Sequence, residues 1–138
     1  MPRLPFEDPD PSFMPLAARR ALDHAGLKLS LRAWQGLSFL VRETLAGLGE
    51  AEDVDIERVR ELLEGARPEP EPIEPLADPP AGTVPAAVRD ALGPERPIDE
   101  AAWEGLAVVA RYALASYARR GRSEKLAAAY DSLFRARS

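Results

Sequence analysis

Ala33–Trp34–Gln35–Gly36–Leu37, with Arg42 five residues on, returns as Ala102–Trp103–Glu104–Gly105–Leu106 with Arg111. An earlier block behaves the same way: Pro15–Leu16–Ala17–Ala18–Arg19–Arg20–Ala21–Leu22 returns as Pro85–Ala86–Ala87–Val88–Arg89–Asp90–Ala91–Leu92. The offset is 70 residues for the Pro pair and 69 for the Trp pair, a difference that a loop absorbs. Ala and Arg are common in this chain, but its two Trp fall on equivalent positions, which chance rarely arranges. The reading is a helical module written twice. Module one covers 13–65, a linker 66–82, and module two 83–135, within a single domain spanning 1–138. The landmarks are Pro15, Leu22, Trp34, Leu37 and Arg42, matched by Pro85, Leu92, Trp103, Leu106 and Arg111.

Outward from these blocks, the pattern is helical throughout. At 138 residues and 46% hydrophobic, the chain has apolar material for a real core. Its 14 Pro are confined to the first fifteen residues, to 68–85, and to Pro94 and Pro97, so they leave the periodic segments intact. Pro2, Pro5, Pro9 and Pro11 predict an extended arm over 1–12. Pro15 opens a helix and Gly26 closes it in the left-handed conformation. Ser30 caps a segment carrying Trp34, Leu37, Leu40, Val41, Leu45 and Leu48 at three- and four-residue spacing, which Gly36 and Ser38 split in two and Gly47 and Gly49 close. Asp53 or Asp55 caps a third helix with Val54, Ile56, Val59, Leu62 and Leu63 on one face, stopped at Gly65.

The run Arg67–Pro68–Glu69–Pro70–Glu71–Pro72 admits neither helix nor ladder and predicts an extended linker, with Ile73 and Leu76 as anchors to the core. In the second module, Gly93 closes the helix from Pro85, and Asp99 caps a segment with Trp103, Leu106, Val109, Ala113, Leu114 and Tyr117 in phase. Ser123 is expected to cap a last helix carrying Leu126, Ala129, Tyr130, Leu133 and Phe134. Nothing alternates with period two over a useful length. The predicted fold class is all-α.

Charge is unevenly spread. Residues 50–78 hold eleven acids against three Arg, and residues 104–138 seven cations against three acids, within a net charge of −5. Each reads first as a solvated face. The absence of Cys removes disulfide and thiolate chemistry, and a single His, His24, removes most metal and general-base schemes. His24 sits where a helix dipole favours it, with no nucleophile or carboxylate marked out beside it. Counted as a calcium loop from Glu50, the sixth position is Asp55 where the turn needs Gly, so the acids are explained by helix capping. Glycine-rich phosphate loops, nucleophile elbows and metal-binding His pairs do not occur in the sequence. No catalytic, cofactor-binding or metal-ligating residue is therefore assigned, and no cofactor. Met1–Pro2–Arg3–Leu4–Pro5–Phe6 lacks the apolar run of a signal peptide, and no later run spans a bilayer, so the expected location is the cytoplasm.

Two features remain as binding candidates. Arg119, Arg120 and Arg122, with Lys125, form a basic turn ahead of a helix start and suit an acidic partner. Nucleic acid is the alternative there, opposed by the acidic chain as a whole. Trp34 and Trp103 read as core or seam, since both lie among in-phase apolar residues; exposed, they would be interface anchors.

The quoted blocks also carry a resemblance. Phe13–Met14–Pro15–Leu16–Ala17–Ala18–Arg19, Leu22–Asp23, Gly26–Leu27–Lys28–Leu29 and Ser30 through Trp34 resemble the nitrate reductase-associated proteins, a small family best represented in cyanobacteria. Pro85, Val88, Leu92, the Trp103–Leu106 pair and Arg111–Tyr112–Ala113–Leu114 resemble its C-terminal half. The resemblance implies a non-enzymatic accessory or maturation factor that acts by contact on an assimilatory nitrate reductase-type molybdoenzyme or its maturation machinery. Arg119–Arg120–Gly121–Arg122 replaces a Pro-Gly-His-like segment of cyanobacterial members, which implies a different partner surface. Against this stand nucleic-acid binding through the basic turn, and a small-molecule site between the modules.

Overall fold

Side chains that bond to the backbone mark four of the eight helix starts among the described residues. Ser30, Ser38, Asp55 and Asp99 each accept a hydrogen bond from a backbone N–H three residues on, the arrangement that satisfies an orphan donor of a first turn. The structure, a computed structural model, describes residues 3–135. Pro2 of the arm and Arg137 of the basic tail lie outside the described residues. Among these residues the fold is mostly helical, with eight helices and one pairing of two short strands. Contacts divide the chain into two units, the first ending at Ala77 and the second starting at Asp78.

In the first unit, α1 (Leu16–Ala25), α2 (Leu31–Gly36), α3 (Phe39–Glu50) and α4 (Ile56–Leu62) follow in order. The split between α2 and α3 falls at Leu37–Ser38, as Gly36 and Ser38 predict. Helix α1 packs most extensively on α3, and the approach is very close: a Cβ on Gly49 would lie 1.6 Å from the Ala17 carbonyl oxygen. Gly49 therefore does not close α3 as expected; it lies within the helix, and its missing side chain is what lets α1 touch. The core is Leu16, Ala17, Ala18, Ala21, Leu22, Trp34, Leu45, Ala46 and Val59, each no more than 6% exposed. Leu40, expected on the same face, is 74% exposed, because the break at Ser38 resets the helical phase of the residues after it.

Over residues 3–12 the arm is not extended. Glu7 accepts hydrogen bonds from the Leu4 N–H at 2.7 Å and from the Leu16 N–H at 2.6 Å. The second bond caps α1, whose N-cap residue, Pro15, has no side-chain acceptor to offer. Arg3 donates to the carbonyls of Asp10 and Phe13, and turns replace the polyproline geometry. At the other end of α1, Gly26 takes φ +70°, the left-handed C′ position. The segment after α4 lies along this end. Strand β2 (Glu71–Pro72) pairs antiparallel with β1 (Leu27–Lys28), and the N–H groups of Ile73 and Leu76 donate to the carbonyls of Gly26 and Asp23. Residues 71–73 and Leu76 thus bond their backbone within the first unit, where no ladder was expected.

The second unit holds α5 (Ala86–Leu92), α6 (Glu100–Glu104), α7 (Val108–Arg119) and α8 (Ser123–Phe134). The single segment expected from Asp99 to Tyr117 is divided between α6 and α7 at 105–107, matching the break that follows Trp34. Ser123 is the first residue of α8 and not its cap; Arg122 holds the cap position and offers no oxygen. Helix α7 contacts α5 and α8, and nine of its twelve residues are buried. The end of α8 is fastened to the 95–97 segment: Arg96 pairs with Asp131 through two bonds at 3.1 and 3.2 Å, and the Tyr130 hydroxyl donates to the Pro97 carbonyl.

Candidate functional site

Arg20, Arg42 and Arg111 each reach carbonyls at the end of a helix within their own unit. Arg20, fully buried, donates to the carbonyls of Gly49 and Ala51 at 2.7 and 2.6 Å and of Glu52 at 2.9 Å. These close the C-terminal end of α3, where carbonyls lack helical partners and carry partial negative charge. Arg20 stands four residues after Leu16 and three after Ala17, in the apolar phase of α1, and a cation in that phase is the signal that it points inward.

Arg42 donates to the carbonyls of Trp34, Gln35 and Pro11, and its guanidinium lies 5.5 Å from the Trp34 ring centroid. Arg111 donates to the carbonyls of Glu104 and Leu106. Both arginines, eight residues after their Trp, fold back onto the end of the preceding short helix. The shared Trp-to-Arg spacing thus has a structural use in each unit.

Trp34 and Trp103 are both fully buried. Their polar ends differ. The Trp103 indole N–H donates to the Pro80 carbonyl at 2.9 Å, whereas the Trp34 indole N–H meets no acceptor among the described residues.

Arg119, Arg120, Arg122 and Lys125 come together at one exposed turn. Arg119 ends α7, Gly121 takes φ +67°, and Lys125 lies in the first turn of α8. The turn is fixed by its backbone, the Arg122 N–H donating to the Tyr117 carbonyl at 2.8 Å and the Arg120 N–H to the Ser116 carbonyl at 2.9 Å. This is a cationic surface on a rigid support, with Glu124 the one acid in the first turn of α8.

His24 occupies the last turn of α1, half-buried. The acids of 50–57 lie on exposed backbone at the end of α3 and the start of α4, and Asp55 is spent as a cap. Among the described residues, no three His, Cys, Asp or Glu side chains gather where they could hold a metal ion. An open hollow of about 500 Å³ is lined by Arg89, Asp90, Gly93, Pro94, Pro97 and Ile98 in the second unit.

Four large apolar side chains of the first unit are exposed without any sign of it in the periodic pattern of the sequence. Phe39 and Leu40, 65% and 74% exposed, open α3, and Leu31 and Phe13 are also exposed. Of these, the helical spacing had suggested core for Leu40 alone. What betrays Phe39 and Leu40 is their place immediately after the helix-restarting Ser38.

A small, mostly helical protein with an exposed cationic turn and exposed apolar side chains is the class these features define. The chain belongs to the family described as conserved nitrate reductase-associated proteins, which it matches over residues 9–130. The family is thus described by association with a reductase. Comparisons with curated proteins and with solved structures give no match. No helix among the described residues is long and apolar enough to cross a membrane.

Proposed function

We propose that this chain is a cytoplasmic, non-enzymatic accessory or maturation factor that acts by protein–protein contact on an assimilatory nitrate reductase-type molybdoenzyme. Family membership carries the reading. It is supported by the exposed surfaces and by the use of Arg20, Arg42 and Arg111 as internal carbonyl caps. Arg119, Arg120, Arg122 and Lys125 are assigned to the partner-facing surface, where a rigid cationic turn suits an acidic patch. Modules 13–65 and 83–135, joined by 66–82, are taken as a duplication within one folding domain. One calorimetric transition is the expected result, and two separated transitions would count against a single domain.

The test is made in nitrate-grown cells. A tagged copy of the chain should co-purify with the reductase polypeptide, and deletion of its gene should lower activity per reductase polypeptide. A pull-down without reductase, together with unchanged activity on deletion, would dismiss the reading.

The exposure of the basic turn favours one competing reading, nucleic-acid binding. It requires binding to a duplex at low salt that weakens steeply as salt is added and is lost on charge removal at Arg119, Arg120 and Arg122. The accessory reading expects no shift of a duplex even at low salt.

A further inference from the structure

We infer that the first turn of α3 is the docking surface for one apolar face of a helix presented by the partner protein. The inference rests on the accessory-factor reading and adds a place to it. Among the described residues, four of the six large apolar side chains with substantial exposure, Phe13, Leu31, Phe39 and Leu40, come from three segments that meet at Arg42. That guanidinium binds carbonyls of the arm and of the end of α2 while standing on α3 itself. The Gln35 amide, four residues after Leu31, adds a bond to the Ser12 carbonyl, beside Phe13. The corner is held in shape before anything binds, which lowers the ordering cost of association.

In the second unit the aligned position is buried. The offset of 69 that aligns Trp34 with Trp103 aligns Phe39 with Val108 and Leu40 with Val109. Val108 and Val109 are 8% and 7% exposed, against 65% and 74% for Phe39 and Leu40. Helix lengths differ in the same sense. In the second unit α8 has 12 residues, as has α7, and it turns back directly after Arg122. In the first unit α4 has 7 residues against 12 in α3. At about 1.5 Å per residue, α4 is too short by roughly 7 Å to run the length of α3. The chain beyond it departs to pair with Leu27–Lys28. The first turn of α3 is left bare, with larger side chains than its aligned counterpart. A helix face is the cover that fits.

Area argues against a second copy of this chain as the occupant. The four side chains expose on the order of 400 Å², taking roughly 150–200 Å² for each when fully exposed. A stable interface needs about 800 Å² per partner. The patch falls short of that, yet it is the size of a functional apolar surface and matches the two or three anchors of a docked amphipathic helix.

The test uses the full chain and the purified nitrate reductase of the same cell. Phe39→Ser/Leu40→Ser, and Leu40→Ser alone, replace exposed side chains and should keep the wild-type melting temperature; Ile56→Ser/Ile73→Ser is the control. The expected result is binding by wild type and control, with affinity at least tenfold weaker in the double variant and an intermediate loss in Leu40→Ser. Equal binding by folded wild type and variants overturns this inference and leaves the accessory role standing. No binding by wild type overturns both. Self-association in sedimentation that the double variant abolishes would show a second copy covering the turn, and would also overturn it.

Discussion

At the scale of single residues, two Trp that look interchangeable in the sequence have different polar surroundings. Both are fully buried, and truncating either to Ala should cost about 3–5 kcal/mol through lost burial and the cavity left behind. Phe separates them. Trp103→Phe deletes a hydrogen bond to the Pro80 carbonyl, worth about 0.5–1.5 kcal/mol, in addition to its change in shape. Trp34→Phe deletes a donor that has no acceptor among the described residues, so the shape term is offset by the relief of an unpaired buried N–H. Urea unfolding should therefore find Trp34→Phe the milder substitution by about 1 kcal/mol or more. Equal costs, or a reversed order, would mean that the Trp34 N–H is satisfied in solution. Sequence could place both Trp in the core, because burial follows from helical phase. It could not distinguish their partners, since Pro80 lies 23 residues from Trp103 and offers only a backbone carbonyl.

At the scale of elements, the α1–α3 contact depends on one glycine that sequence reasoning assigned to a different task. Gly47 and Gly49 both read as helix-closing residues, yet both lie inside α3. A Cβ at Gly49 would meet the Ala17 carbonyl oxygen at 1.6 Å, and a backbone atom held within α1 cannot turn aside as a side chain can. Gly49→Ala must therefore push the two helices apart, at a cost of about 3 kcal/mol or more, the upper end of overpacking effects. Nothing lies within 4 Å of a Cβ at Gly47, so Gly47→Ala should stabilise by about 0.5–1 kcal/mol through helix propensity alone. Paired melts of the two variants check this, and similar shifts of the same sign would show that the helices are not in contact there. Helix starts and breaks were legible because Ser30, Ser38, Asp55 and Asp99 signal them locally. The folded arm and the β1–β2 pairing were not, because each depends on tertiary partners, Glu7 with Leu16 and Lys28 with Glu71, that no local period announces.

At the scale of the whole molecule, the family and the predominantly helical fold were legible, whereas the exposed corner was not. An apolar residue in phase reads as core until the structure shows nothing lying over it, as with Leu40. Charge gives the molecule a further property that can be measured on the full chain. The Ser12 backbone N–H, then its hydroxyl, hold the Asp10 carboxyl below its ordinary value of 3.8. The Arg96 side chain, bonded to Asp131, holds that carboxyl below the same value. A carboxyl whose folded pKa is depressed binds protons more weakly in the folded chain than in the unfolded one. Its contribution is therefore fully present above about pH 4, the ordinary unfolded value, and is lost as the pH falls through the lower folded pKa. Asp10 is exposed and Asp131 half-buried, so solvent and salt reduce the effect, and it should be weaker in 0.5 M salt than in 0.05 M. Denaturant melts of wild type and Asp10→Asn/Asp131→Asn should differ by a constant amount from neutral pH down to about pH 4, and converge progressively below it. A gap that persists undiminished to pH 2, or one that closes between pH 7 and pH 5, would show that these two carboxylates do not set the acid limb of the stability curve.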